Sequence, residues 1–191
     1  PAERFAISKA NDATDPTPYF NQYSNSLYYL DSLVGEVRQS LIDQGEWDNT
    51  ILVITGDHGE EFADQDQVFW GHGSNFSRYQ TSVPLVIHWP GKSASLEYRT
   101  SHEDIMPTLI TEALGCDVAL NSLSTGYSLF DDSDRVLMVE SYVNQAVIVD
   151  DSVSEILPGF VLSYSLDDID QPTKASAASL VGIQAIYDRF R

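Results

Sequence analysis

The stretch ILVITGDHGEEFADQDQVFWGHG, residues 51–73, holds two of the four histidines in a chain of 191 residues. It opens on ILVIT, a short unbroken apolar run that predicts a strand buried on both faces. An Asp-His pair follows at once, then two glutamates, then a second histidine between glycines. Residues directly after a strand sit at its carboxyl end, where α/β sheets collect their chemistry. Asp57 and His58 are thereby placed at a rim.

Asp57 offers a hard oxygen and neutral His58 a nitrogen, and neighbours on a turn can bend toward one point. Together they supply half of a divalent metal site. Mixed nitrogen and oxygen ligation suits Zn²⁺ or Mn²⁺ better than Mg²⁺ or Ca²⁺, although a lone His does not exclude Ca²⁺ where the other ligands are carboxylates. Gly56 and Gly59 flank the pair and are expected to let the backbone turn sharply.

His72 follows His58 by fourteen residues, between Gly71 and Gly73. A loop there can fold back over the same rim, so His72 is a candidate for a second metal or for an anionic substrate oxygen. Its alternative is an ordinary loop histidine. Glu60 and Glu61 are candidates for orienting a ligand by accepting a hydrogen bond, with Glu60 favoured for its place beside the pair. The competing reading is two solvated glutamates at a helix start.

Outward from this stretch, the chain reads as alternating helix and strand. Upstream, Phe20, Tyr23, Leu27, Leu30, Val34, Val37 and Leu41 recur at spacings of 3, 4, 3, 4, 3 and 4. That rhythm predicts a helix of about six turns with one buried stripe. Downstream, SVPLVIHWPGK predicts a second core strand from Val83 to Trp89, closed by Pro90 and Gly91. A long helix followed by a fully buried strand implies a parallel α/β sheet.

TSHEDIMPTLITEALG predicts a further helix, capped near Ser101 or His102 and stopped at Gly115, with Ile105, Leu109, Ile110 and Ala113 inward. His88, inside an apolar strand, reads as a satisfied core or edge residue. Arg78 and Lys92 are the nearby cations available to neutralise a substrate's negative charge. Lys92 lies just past a strand's carboxyl end and is a candidate for binding substrate, with an exposed lysine as its default reading. Cys116, the single cysteine, excludes an internal disulfide and reads as a packed core residue.

Beyond residue 134 the texture changes to short β-prone runs, RVLMVES, QAVIVD and GFVLSYS, which predict an antiparallel group. The end, TKASAASLVGIQAIYDRFR, predicts a closing helix whose Ala178, Val181, Ala185 and Ile186 share a face. The expected arrangement is one domain, with an α/β core at 19–115 and antiparallel strands plus a helix at 134–191.

Ten Lys and Arg against 29 Asp and Glu give a formal charge of −19. Such a surface repels phosphate backbones and disfavours nucleic acid. The pairs Asp131-Asp132, Asp150-Asp151 and Asp167-Asp168 read as solvated turns rather than cation sites. No apolar run is long enough to span a bilayer. The first residue is Pro1, which suggests a piece of a longer protein.

NTILVITGDHGEEF, GHG, SVPLVIHWPGK and TSHEDIMPTLI, in that order, resemble the sulfatase branch of the alkaline phosphatase superfamily. Within it, VPLVIHWPG and the closing helix look most like the YejM (PbgA) group of inner-membrane sulfatase-like proteins. The resemblance implies the C-terminal part of an alkaline-phosphatase/sulfatase-like fold, mainly parallel, with its helices flanking the sheet. It implies that Asp57 and His58 are metal ligands and that His72 is catalytic and substrate-binding. A divalent metal (Ca, Zn or Mn) and a sulfate- or phosphate-ester substrate, with lipid-linked esters among the candidates, follow from it.

The whole protein would then be anchored in the bacterial inner membrane upstream of this region, which would lie on the periplasmic face. Its nucleophile and remaining ligands would also lie upstream. Two alternatives accompany this reading. One is a non-catalytic periplasmic domain that controls lipopolysaccharide and outer-membrane lipid balance. The other is a phosphoethanolamine or glycerol-phosphate transferase relative.

Overall fold

A computed structural model describes residues 10–11, 13–65, 69–119, 124–173 and 177–189. Residues 66–68 of the opening stretch, the first nine residues and the start of the expected closing helix at 174–176 fall outside that set. The chain divides into two compact units, Pro1–Ser93 and Ala94–Arg191.

The first unit begins with helix α1, Thr17–Asp43, over the predicted stretch. Pro16 is its N-cap and a second proline falls in its first turn, where a missing N–H costs nothing. At the other end the Glu46 amide reaches back to the Leu41 carbonyl and the Gly45 amide to Ile42. That is a Schellman closure, and Gly45 is the residue that permits it.

The apolar stripe of α1 departs from expectation, since no residue of the helix is buried. Phe20 and Tyr23 pack on Phe62 with ring centroids 5.9 and 5.3 Å apart, and Tyr19 packs edge-on against Trp70. Farther along, Leu27, Leu30 and Val37 stay about half exposed. The spacing fixes which residues share a face, whereas burial needs a partner for that face.

Strand β1, Leu52–Thr55, pairs with β4, Leu85–His88, in register from Leu52↔His88 to Thr55↔Leu85. The mixed α/β class stands, but this pairing is antiparallel where a parallel one was expected. β1 is also half-buried rather than covered on both faces, because α1 leaves so much of its apolar side open and β4 is the one neighbour of β1 among the described residues. An unbroken apolar run marks a strand without marking its direction.

The short strands β2, Glu61–Phe62, and β3, Trp70–Gly71, form a separate antiparallel ladder. Helix α2, Arg78–Thr81, follows it. His88 is held structurally, with its ring stacked on Trp47 at 3.6 Å and its Nε2 3.1 Å from the Trp47 carbonyl.

In the second unit a 3₁₀ turn, His102–Asp104, leads into α3, Ile105–Thr108, and then a π-helical turn at Leu109–Ala113. Ser101 is the N-cap, and Asp104 completes a capping box with it. The inward residues are Asp104, Pro107 and Thr108, whereas Ala113 is exposed. Cys116 is exposed too, contrary to the expected core position, because it follows the helix stop at Gly115.

Asp104 and Arg135 form an ion pair at 2.8 Å with both side chains 1% exposed. The Asp104 carboxylate also accepts from the Ser101 and Tyr127 amides, and Arg135 donates to the carbonyls of Ser128, Asp131 and Ser133. Every polar contact that burial demands is met within this network. Its two charges are 31 residues apart and gave no signal in the sequence.

The five-stranded sheet is a meander in sequence order, β5 (Val136–Glu140), β6 (Gln145–Val149), β7 (Ser152–Leu157), β8 (Phe160–Ser165) and β9 (Asp168–Thr173). All its pairings are antiparallel, as the β-prone runs predicted. The sequence reading missed β7 and β9, whose Ser, Glu and Asp residues dilute the apolar signal. Asp150-Asp151 forms the two-residue turn between β6 and β7, whereas Asp167 sits in the turn after β8 and Asp168 opens β9; Arg99 binds the first pair through the Asp150 carbonyl and the Asp151 carboxylate.

Helix α4, Ala177–Arg189, lies over β5, β6 and β7. Its contact residue is Gly182, where an added Cβ would sit 2.6 Å from a Val149 methyl. Ile186, four residues on, is buried. The expected face is thus rotated, because Val181 is 68% exposed; the Ala178 side chain lies outside the described set.

Candidate metal and ester-binding site

Asp57 and His58 follow the end of β1 directly, at the carboxyl end the sequence assigned them. His58 Nδ1 lies 2.9 Å from the Gly59 carbonyl, which can only accept, so in the neutral imidazole that nitrogen carries the proton and Nε2 is the atom left for a cation. Nε2 is 3.6 Å from Asp57 Oδ2. Two donors at that separation can share one cation at about 2.0–2.2 Å each.

The Asp57 side chain is 90% exposed and open to a cation from solvent. A hydrogen bond from its own amide, and then the adjacent His58, hold its carboxyl below the usual carboxylate range.

Gly59 is required for a reason other than the expected sharp turn. Its φ is not positive, but an added Cβ would lie 2.0 Å from the Tyr79 carbonyl oxygen. The Gly59 amide also donates to the Gln80 carbonyl at 2.9 Å. The Asp-His loop is thus pressed against the backbone of α2, and no side chain fits between them.

The register of the short ladder brings the second histidine in. Glu61 pairs with Gly71 and Phe62 with Trp70, so the next positions outward are Glu60 and His72. His72 Nδ1 lies 2.9 Å from Glu60 Oε2, and the His72 ring stacks on His58 with centroids 3.7 Å apart. Gly71 and Gly73 have φ of +87° and +72°, a backbone that L side chains rarely adopt. That accounts for the spelling Gly-His-Gly.

Alternation along β2 gives the two glutamates opposite fates. Glu60 faces the histidines with its side chain 17% exposed. Glu61 points into the core and is fully buried. Its Oε2 accepts from Gln80 Nε2 at 2.7 Å, Asn75 Nδ2 at 2.9 Å and Ser77 Oγ at 3.3 Å, whereas Oε1 is buried with no partner.

Gln80 in turn accepts from the Ser74 amide through its side chain, and its carbonyl accepts from Gly59. Glu61 therefore ties the loop that follows His72 to the loop that carries His58. The sequence reading weighed Glu61 only as an orienting or solvated residue, and its structural role depends on contacts 14 to 19 positions away.

His58, Glu60 and His72 each offer a ligand atom, and the three atoms lie within 4.8 Å of one another. Two nitrogens and one carboxylate are donors that a divalent metal accepts. Asp57 stands beside this group and joins it through His58. Lys92 follows the turn after β4, and its Nζ lies 4.7 Å over the Trp89 ring. Arg78 opens α2 and is exposed.

Among the described residues no helix is long and apolar enough to cross a membrane. The chain is 30% identical over 121 residues to the inner membrane protein YejM of Salmonella typhimurium, which covers 62% of this chain and 20% of that protein. It is 38% identical over 74 residues to human iduronate 2-sulfatase, covering 39% of the chain and 13% of the relative. To the choline-sulfatase of Rhizobium meliloti it is 31% identical over 108 residues, 56% of the chain and 20% of that enzyme.

The chain therefore spans about a fifth or less of these relatives. The sulfatase family model matches residues 1–115, which include both histidine loops. On that match, extending over more than half of its length, the chain belongs to the sulfatase family.

Proposed function

We propose that this chain carries the metal-ligand and ester-facing half of a metal-dependent, sulfatase-like hydrolase that acts on sulfate or phosphate esters. The observation that carries the reading is the stacking of His58 on His72 at 3.7 Å, which joins two loops at the rim beyond β1. Asp57 and His58 hold the divalent metal, and the nitrogen content of the site favours zinc or manganese over calcium. When bound, the metal supplies Lewis-acid polarisation of the ester and stabilises charge on the transferring group.

The chain's own groups do the rest of this half of the work. Asp57 brings a negative charge to the open edge of the site. His58 keeps its Nε2 lone pair facing that carboxylate because the Gly59 carbonyl holds Nδ1. His72 meets the ester and its leaving oxygen, whereas Lys92 follows the end of β4 that pairs with Leu52 and so stands at the other end of the ladder from this rim. The nucleophile comes from the remainder of the whole protein, which is anchored in a bacterial inner membrane with this region on the periplasmic side.

Turnover of an aryl sulfate and of a phosphodiester by the whole protein tests this. Replacing His58→Ala should lower turnover by at least about 100-fold, since it removes a ligand outright. Equal turnover in the variant ends the proposal.

A second reading is a non-catalytic domain that regulates lipopolysaccharide and outer-membrane lipid balance. It is favoured by the match to YejM, which covers more of the chain than the match to iduronate 2-sulfatase. Under it, a whole protein carrying Asp57→Ala and His58→Ala still restores membrane lipid balance to a deletion strain. Under the catalytic reading it folds normally and fails to do so.

A further inference from the structure

The two stacked histidines are oriented by different means. The Nδ1 of His58 is held by a backbone carbonyl, which no substitution removes. The Nδ1 of His72 is held by a side chain, Glu60, at 2.9 Å. A carboxylate accepts, so the contact requires the proton on Nδ1 and leaves the far nitrogen, Nε2, with its lone pair.

We propose that Glu60 is the positioning residue of this site: it fixes His72 as the Nδ1–H tautomer and directs a bare Nε2 away from the ladder toward the ester. This rests on the functional reading above and sharpens it. A neutral His72 held in this way accepts at Nε2, either a cation or a proton. A carboxylate that fixes a histidine's tautomer and orientation is the arrangement known from catalytic triads.

Three observations converge on Glu60. The ladder register fixes it opposite His72. Its side chain is 17% exposed, less than half the 39% of His72, so water competes weakly for the hydrogen bond. Finally, the His58 ring stacked at 3.7 Å limits rotation of the imidazole, which leaves the tautomer as the remaining freedom for Glu60 to set.

The chain has four histidines, so long-range ¹⁵N–¹H correlation spectra of the imidazoles are readily assigned by single substitution. In the unsubstituted protein at a pH where His72 is neutral, its signals should show Nδ1 protonated and Nε2 bare. Glu60→Gln, whose amide oxygen still accepts, should keep that signature. Glu60→Ala should lose it and revert toward Nε2–H.

An Nε2–H form in the unsubstituted protein overturns the proposal without any variant. So does an unchanged Nδ1–H form in a folded Glu60→Ala. In the whole protein Glu60→Ala should lower kcat about 10- to 100-fold, the range seen when the partner of a functional histidine is removed. A lost tautomer with unchanged kcat overturns the role in turnover, and that result is distinct from absence of turnover in the unsubstituted protein, which would count against the hydrolase itself.

Discussion

Consecutive residues in the stretch at 57–61 do unrelated work, and their spacing in the ladder decides which. Glu60 and Glu61 carry the same chemistry, yet one faces the histidines and the other holds the loops together from inside. Replacing Glu61→Ala strands the donors on Gln80, Asn75 and Ser77. Each unpaired buried group costs about 1–3 kcal/mol, so a loss of about 3 kcal/mol or more is expected in urea unfolding. A loss below about 1 kcal/mol would show that water replaces the carboxylate.

Gly59→Ala presses a methyl group into the Tyr79 carbonyl. Either the Asp-His loop lifts off α2 or the protein is destabilised, so amide exchange at residues 56–60 should quicken markedly. Unchanged exchange there would refute the close approach. Asp57, His58 and His72 were legible as candidates because rare residue types stood at a strand's end and between glycines. Glu60's partnership was not, since it depends on how residues 61 and 71 pair across a loop.

At the scale of elements, periodicity located α1, β1, β4, β5, β6, β8 and α4, all from patterns that local geometry imposes. Pairing direction was not local: β1 lies antiparallel to β4 although its apolar run suggested a parallel sheet. Facing was not local either, because α4 approaches its sheet through Gly182, a residue with no hydrophobic signal at all. The absent side chain is what permits the contact.

The Asp104–Arg135 pair is the least legible element-scale feature and the most consequential for the second unit. It joins the 3₁₀ turn at 102–104 to the segment entering β5. Arg135→Leu leaves a buried carboxylate without its counter-charge, for which about 3–5 kcal/mol of destabilisation is expected in thermal or chemical unfolding. A change within about 0.5 kcal/mol would mean that the Ser101 and Tyr127 amides satisfy Asp104 by themselves.

For the molecule as a whole, the apolar side of α1 and the acidic surface pull solubility in opposite directions. A formal charge of −19 keeps copies apart, whereas Leu27, Leu30 and Val37 offer half-exposed apolar area along one helix. Contiguous exposed apolar surface of this kind binds hydrophobic dyes. Leu27→Lys with Leu30→Lys should therefore reduce dye fluorescence severalfold and leave far-ultraviolet circular dichroism unchanged. Equal dye binding would place the exposed apolar surface elsewhere.

The central claim is that the rim beyond β1 is a metal site serving ester hydrolysis, and metal replenishment tests it most directly. The whole protein is stripped with a chelator, given Ca²⁺, Zn²⁺ or Mn²⁺ one at a time, and assayed on an aryl sulfate and a phosphodiester beside its His58→Ala variant. The expected result is turnover that vanishes on stripping, returns with at least one of these ions, and does not return in the variant. Turnover that survives stripping, or that returns equally in His58→Ala, would contradict the account.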